Sequence, residues 1–350
     1  MSPTEMTGTS RKPLVGVTLG DPAGVGAEIA LRALDDEGVG ADCSLVLFGS
    51  PAAVEREAGT LRLQRPIHVV PLPTGPPVTG EWILDDTAIN VVATSGDEAL
   101  IPFGVVDARG GEAAVRAVTV AVEAAKSGII DAVCTAPLNK ESMRRAGYPH
   151  DGHTELIATL TGNPEVSMFL LGRQLRVAHL TTHSAIATVP GKITPKRLRS
   201  VIDIADRVMR AQGISQPRIA VAGLNPHAGE HGLFGSEEDD VMRPVLAQAT
   251  ADGLTVVGPV SPDAVFIEMM AGKHDIVIAA YHDQGHIPVK LIERDHAVNV
   301  TGGLPIIRTS VDHGTAFDIA GRGIADATNM VAALAMAAQL ARGREAWLGP

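Results

Sequence analysis

The chain has few aromatic residues: six Phe, two Trp and two Tyr make up 3% of its 350 residues. A core without large rings must be built from Ala, Val, Ile and Leu, which suits parallel strands covered by helices. Cysteine is also scarce. Cys43 and Cys134 are the two present, and no Cys-x-x-Cys pair exists, so a thiolate zinc site is excluded. Both are expected as buried small hydrophobes in a reducing compartment. Positive charge is in deficit, with 29 Lys and Arg against 40 Asp and Glu and a net charge of −11. That balance argues against nucleic acid or an anionic membrane as a partner, since both need a basic footprint. It leaves room for a local basic pocket that takes an anionic metabolite. The longest apolar run, Met330–Ala341, is broken by Gln339 and is too short to cross a bilayer. Met1–Lys12 is polar and lacks an apolar h-region, so it is expected to be a short disordered leader rather than a signal peptide. A cytoplasmic location follows as the expectation.

What is there is an alternation of strand and helix from end to end. Leu14–Leu19, Ser44–Phe48, Ile129–Cys134, Leu175–Leu180, Arg218–Ala222 and Ile276–Ala280 are predicted strands. Between them lie predicted helices through Leu34 and over Glu112–Lys126, His153–Leu160, Pro195–Gln212, Ser236–Ala249, Pro262–Ala271 and Ala325–Ala341. Thr194 is the expected cap of the long basic helix, with Pro195 in its first turn. Pro71–Gly80 is a Pro/Gly-rich loop. Such βαβ units predict an α/β fold with a mostly parallel sheet. The length favours two lobes over one small domain.

Twelve histidines run through the chain. Four fall in short polar runs: Asp-Gly-His153-Thr-Glu, Thr-Thr-His183, Asn-Pro-His227-Ala-Gly and Tyr-His282-Asp-Gln-Gly. The last three directly follow predicted strands. Ligands bind at the C-terminal ends of strands in parallel sheets. His183, His227 and His282 are therefore the preferred ligands for a divalent metal, with zinc, cobalt, nickel or manganese favoured over calcium by imidazole. His231 and His286 compete, each four residues past one of these. Pro226, Gly229, Gly232, Gly285 and Pro288 argue against continuous helix there, so the first histidine of each pair is preferred.

Lys290, Asn299 and Arg308 follow His282 and place cations near the expected metal, which suits a small carboxylate or phosphate. Gly20–Gly26 joins a strand to a helix, a placement that suits phosphate. Its spacing matches neither Gly-x-Gly-x-x-Gly nor a P-loop, and a plain turn is the simpler expectation. The loop His313-Gly314-Thr315-Ala-Phe-Asp318-Ile-Ala-Gly combines a permissive turn, a hydroxyl, an acid and an imidazole. Asp318 there is placed to accept hydrogen bonds from a ribose or an adenine amino group.

This loop resembles the His-Gly-[Ser/Thr]-Ala-x-Asp-Ile-Ala-Gly loop of isocitrate and isopropylmalate dehydrogenases, where it binds the adenosine end of a nicotinamide cofactor. Asp-Gly-His-Thr-Glu, Asn-Pro-His-Ala-Gly-Glu, Tyr-His-Asp-Gln-Gly and Arg-Thr-Ser-Val-Asp-His-Gly-Thr-Ala together resemble the 4-hydroxythreonine-4-phosphate dehydrogenase family over Leu14–Ala341. The resemblance implies a two-lobed isocitrate/isopropylmalate dehydrogenase-like fold that binds NAD without a Rossmann fingerprint. Residues 13–140 plus 310–350 would form one lobe, and 141–309 the second lobe, with the metal site and dimer contacts. It implies His183, His227 and His282 as ligands of a divalent metal (Zn, Co, Mn or Mg). Substrate contacts are implied at His153, Thr154, Lys290, Asn299 and Arg308, and cofactor contacts at His313, Gly314, Thr315 and Asp318. A homodimer is also implied, with one metal ligand crossing between subunits.

Two departures bear on the substrate. Biosynthetic members resemble Ala-Gly-Glu-Gly-Gly and His-Asp-Gln-Gly-Leu-Pro, whereas this chain has His231 and His286 within those motifs. It is more similar to the branch that oxidises 4-phospho-D-threonate or 4-phospho-D-erythronate at C3. Loss of CO2 from the 3-keto acid would then give dihydroxyacetone phosphate. Vitamin B6 biosynthesis and oxidation of a terephthalate cis-dihydrodiol are the alternatives within the family. A non-catalytic metabolite-binding protein and a metal hydrolase are the alternatives outside it. Lys290, expected to be desolvated beside the metal, is the candidate proton-transfer residue.

Overall fold

The computed structural model describes residues 11–72, 82–97, 100–163, 165–294 and 296–349. The expected leader, apart from its last two residues, and most of the Pro/Gly-rich loop lie outside these. The chain begins with β1 (Leu14–Thr18), α1 (Gly26–Leu34), α2 (Glu37–Asp42), β2 (Ser44–Gly49), α3 (Pro51–Leu61), β3 (Ile67–Val70) and β4 (Ile89–Ala93). It continues through α4 (Ala108–Lys126), β5 (Ala132–Thr135), α5 (Lys140–Arg145), α6 (His153–Thr161), β6 (Ser167–Leu171) and β7 (Arg176–His179). Next come α7 (Pro195–Ala211), β8 (Ile219–Ala222), α8 (Arg243–Ala251), β9 (Val256–Val260), α9 (Pro262–Met270) and β10 (Ile276–Ala279). The last elements are α10 (His282–Glu293), β11 (Val298–Gly302), β12 (Arg308–Ser310), α11 (Thr328–Arg342) and α12 (Arg344–Leu348).

Among the described residues the strands form one twelve-stranded sheet in the order β3-β4-β2-β1-β5-β12-β11-β6-β7-β10-β8-β9. Its pairs are parallel except β12–β11, β11–β6 and β6–β7. The parallel strands are apolar on both faces, as sheets covered on both sides must be. On β8, Ile219 and Val221 join the core beneath α1, α7 and α11, while Ala220 and Ala222 pack with residues of α9 and α10. On β10, Ile276 and Ile278 divide from Val277 and Ala279 in the same way. A third core lies beneath α4 and α6. The cores are mainly aliphatic, as the shortage of aromatics requires. Cys43 and Cys134 are buried free thiols, and burial raises them to about 11 and about 12. No helix among the described residues is long and apolar enough to cross a membrane.

Three local expectations are corrected. α4 starts at Ala108, so Gly110 and Gly111 lie inside it, where Gly111 lets its backbone close on Ser142 of the α5 turn. The helix expected over Ser236–Ala249 is a π-helical turn, Glu238–Met242, followed by α8. Most consequential, His282–Glu293 is continuous helix despite Gly285 and Pro288.

Candidate active site

β7, β10 and β8 are neighbouring parallel strands, so the segments bearing His183, His282 and His227 leave the same edge of the sheet. Their register pairs Ala178 with Ile278 and Ile278 with Val221. His183 and His282 come together, with ring centroids 5.4 Å apart. His282 Nδ1 lies 2.6 Å from Asp283 Oδ1, a carboxylate contact that leaves Nε2 for a ligand. His227 stands apart from this pair. Its backbone is left-handed at φ 52°, its ring faces Phe234 at 6.4 Å, and its segment packs on α9 and β9. Among the described residues no group of three His, Cys, Asp or Glu is arranged to hold a metal ion. Two imidazoles and their carboxylate neighbour suit a divalent cation chemically, but the third proposed donor is not with them in one chain.

The continuous helix α10 changes the local picture. His282, His286 and Lys290 are spaced i, i+4, i+8 and so share one helical face. His286 stacks on His282 with centroids 3.6 Å apart. Beneath it lies His179, fully buried in β7, whose Nε2 is 3.1 Å from His286 Nδ1. Burial, with the charge of His286 adding to it, lowers His179 to about 3. Burial, then the charge of His282, lowers His286 to about 4. Both rings are therefore neutral near pH 7.

A second cluster surrounds Arg308 at the start of β12. Its guanidinium donates to Thr301 Oγ1 at 2.9 Å and Thr135 Oγ1 at 2.8 Å, while its Nε is buried without a partner. The residue is only 2% exposed and makes no salt bridge among the described residues, and burial, opposed by Cys134 and Glu155, pulls it down to about 10. His153 opens α6 with its Nε2 buried and unpartnered, and burial, reinforced by the Arg308 charge, holds it well below the usual imidazole range. Thr154 follows it in the first turn of α6, whose N-terminal amides lack a side-chain cap. Asn299 on β11 likewise leaves a buried Oδ1 unsatisfied, beside Ser310 of β12. Buried polar groups are normally paired. Three of the residues expected to touch substrate each carry such an orphan, which suits a site built for a polar ligand.

Lys290 is not the desolvated amine expected from the sequence. It is exposed and ion-paired with the half-buried Asp312 carboxylate. That contact ties the imidazole face of α10 to the segment leading into the loop with His313 and Gly314. The loop is open to solvent at His313, Gly314 and Asp318, and the Asp318 carboxylate makes no hydrogen bond among the described residues. His313 Nδ1 closes locally on Gly314 O at 2.9 Å. Thr315 O accepts from Val25 N at 3.1 Å, and a Cβ on Gly24 would fall 2.8 Å from that oxygen. Gly24 is thus required by close backbone packing, which supports the plain-turn reading of Gly20–Gly26.

His179, Asp312, Thr135 and Thr301 were not singled out from sequence. His179 and the two threonines sit in strands, where nothing local marks them. The i, i+4, i+8 spacing of His282, His286 and Lys290 was available as a signal, but Gly285 and Pro288 masked it.

Fold and relatives together define the class. The D-threonate 4-phosphate dehydrogenase of Salmonella typhimurium is 42% identical over 344 residues, covering 93% of this chain and 98% of that one. The 4-hydroxythreonine-4-phosphate dehydrogenase of Desulforapulum autotrophicum is 41% identical over 332 residues, covering 94% and 96%. A crystal structure of a 4-hydroxythreonine-4-phosphate dehydrogenase from Burkholderia phymatum matches with a TM-score of 0.81 and 42% identity, covering 94% of this chain and 98% of that one. This is an α/β enzyme of a dehydrogenase family. More narrowly, the chain belongs to the family described as pyridoxal phosphate biosynthetic protein PdxA, whose model matches residues 41–337.

Proposed function

We propose that this enzyme oxidises a 4-phosphorylated 3-hydroxy acid, 4-phospho-D-threonate or 4-phospho-D-erythronate, at C3 with NAD, and that decarboxylation then yields dihydroxyacetone phosphate. The observation that carries this is Arg308, a buried cation whose guanidinium hydrogen-bonds only to hydroxyls among the described residues. An unpaired buried charge is costly, and an anion delivered by the substrate would relieve that cost. His153, Thr154 and the uncapped amides of α6 would share that anion, and Asn299 Oδ1 would accept from a substrate hydroxyl. Lys290 either binds anion or moves the proton of the reacting hydroxyl, with Asp312 holding its ammonium in place.

His183, His282 and His227 from a second copy of the chain would hold a divalent metal. Such a metal, when bound, polarises a hydroxyl oxygen and stabilises developing enolate charge. The separation of His227 from the other two within one chain supports a site shared in a homodimer. So do exposed apolar side chains, including Phe234 facing His227, Ile267 and Met270 on α9, against which the His227 segment packs, and Ile287 and Leu291 on α10. NAD supplies the hydride acceptor, and the open carboxylate of Asp318 suits its adenosine end.

The relative named for 4-hydroxythreonine 4-phosphate keeps that amino acid as a second substrate reading. Purified enzyme with NAD and divalent metal should be offered both phosphorylated aldonates, phosphohydroxythreonine and the terephthalate dihydrodiol. NADH formation fastest with a phosphorylated aldonate supports the proposal, and formation only with the dihydrodiol contradicts it.

A further inference from the structure

We infer that His286 is a hydrogen-bond acceptor for a hydroxyl of the bound acid, held as its Nδ1–H tautomer by the buried His179 and the backbone of His282. The identity of the hydroxyl rests on the dehydrogenase proposal; the tautomer does not.

Proton bookkeeping supplies the argument. His179 Nδ1 lies 3.1 Å from the carbonyl oxygen of Met168, which can only accept. The Nδ1 of His179 therefore carries the proton. The ring is fully buried with no carboxylate beside it among the described residues, so it holds a single proton; the His282 carbonyl also lies within its reach, but the 3.1 Å contact with Met168 is the one with hydrogen-bond geometry, which leaves Nε2 as the lone pair. His286 Nδ1 sits 3.1 Å from that lone pair and 3.1 Å from the carbonyl oxygen of His282. Both neighbours are acceptors, and together they hold the proton on His286 Nδ1. His286 Nε2 is then bare, and it has no protein hydrogen-bond partner among the described residues. It belongs to the helical face shared with His282 and Lys290, within electrostatic reach of Lys290 and Asp312. A purely structural histidine would be expected to spend both nitrogens on the protein.

Gly285 shows how closely α10 packs on the positioning ring. A Cβ there would lie 2.5 Å from His179 Nε2. The helix interior accepts a glycine, although Ala is the better helix former, where α10 must close over the ring of His179. His179 is a positioning residue in this arrangement, since it touches His286 and not the substrate.

The test uses histidine-¹⁵N-labelled full-length protein without metal or cofactor, with His286→Leu to assign the resonances. Multiple-bond ¹H–¹⁵N spectra are expected to show His286 Nδ1 as the protonated nitrogen and Nε2 as the bare one. D-threonate 4-phosphate should move the Nε2 resonance, whereas 4-phosphooxybutanoate, with both anionic ends and no hydroxyl, should not. A proton on Nε2, an equal response to both compounds, or a response to zinc alone that marks Nε2 as a metal ligand would each overturn the inference. His179→Leu, with unchanged circular dichroism, should shift Nε2 toward the average of the two tautomers; an unmoved resonance removes His179 from the role. In turnover, His286→Leu is expected to raise KM about tenfold with kcat less affected, the loss of one hydrogen bond. His286→Gln, which can return an oxygen acceptor, should recover most of that, and equal KM values for the two variants would count against the acceptor role. If no acid yields NADH, the dehydrogenase proposal fails while the tautomer result still stands.

Discussion

The imidazoles of His282 and His286 lie face to face, with centroids 3.6 Å apart and planes 12° from parallel. This stack exists because α10 starts at His282, directly after β10, and continues through Gly285 and Pro288. It makes one surface of His282, His286 and Lys290, with His183 arriving from the neighbouring strand end. Under the proposal above, His227 would complete the donor set from another copy.

That arrangement predicts complementation between inactive variants. His227→Ala and His183→Ala homodimers should each lose metal-dependent turnover. Unfolding, mixing and refolding the two should restore up to about a quarter of wild-type activity, because half of random dimers are mixed and each holds one intact site. Size-exclusion chromatography and an activity assay on the mixture check this. No recovery from well-folded dimers would place all the donors in one chain.

Arg308→Met separates binding from folding. Removing a buried charge that forms no salt bridge among the described residues should leave the melting temperature of the ligand-free enzyme unchanged or raised. The same change should raise KM for the phosphorylated acid by roughly a hundredfold, the loss of charge-assisted hydrogen bonds. Calorimetry and steady-state kinetics on one preparation give both numbers. A destabilised protein with normal KM would make Arg308 a structural residue.

Gly285→Ala should destabilise the protein even though Ala is the better helix former. Helix propensity favours Ala by about 1 kcal/mol, but the added methyl meets His179 Nε2 in a filled core, an overpacking cost of about 1–3 kcal/mol. A net loss in urea unfolding is expected, and His179→Ala should relieve part of it in the double variant.

Glu57 gives a pH dependence remote from the site. It is buried on α3 with neither carboxylate oxygen hydrogen-bonded, and burial, opposed by Arg56 and aided by Glu28, raises it to about 7. The folded state therefore binds a proton that the unfolded chain releases near its ordinary value of 4.5. This stabilising protonation is fully present below 4.5 and is lost as pH rises through about 7. Glu57→Gln should stabilise the protein above pH 7, by about 3 kcal/mol at most, and flatten the fall between pH 5 and 8 in chemical denaturation.

Much of the sheet was legible because its parallel strands are unbroken apolar runs: the strands ending near Thr18, Gly49, His179, Ala222 and Ala279 are all visible in the sequence. β3, β4, β6 and β9 were not named as strands, and neither were β11 and β12. The last two are short and polar in part, and β11 owes its place to antiparallel pairing across the centre of the sheet. Candidate histidines were legible because imidazoles after apolar runs stand out. The grouping was harder, since His179 looks like any strand residue until strand order places it under α10. Pro288 and Gly285 pointed away from helix on local propensity, and tertiary packing over His179 overrode them.

The most direct test of the proposed reaction is to measure NADH and CO2 together, with D-threonate 4-phosphate, NAD and divalent metal. Equal amounts of both, with dihydroxyacetone phosphate as the remaining product and no turnover after chelation, is the predicted result. Turnover without NAD, or NADH accumulating with no CO2 and a stable keto acid, would contradict it.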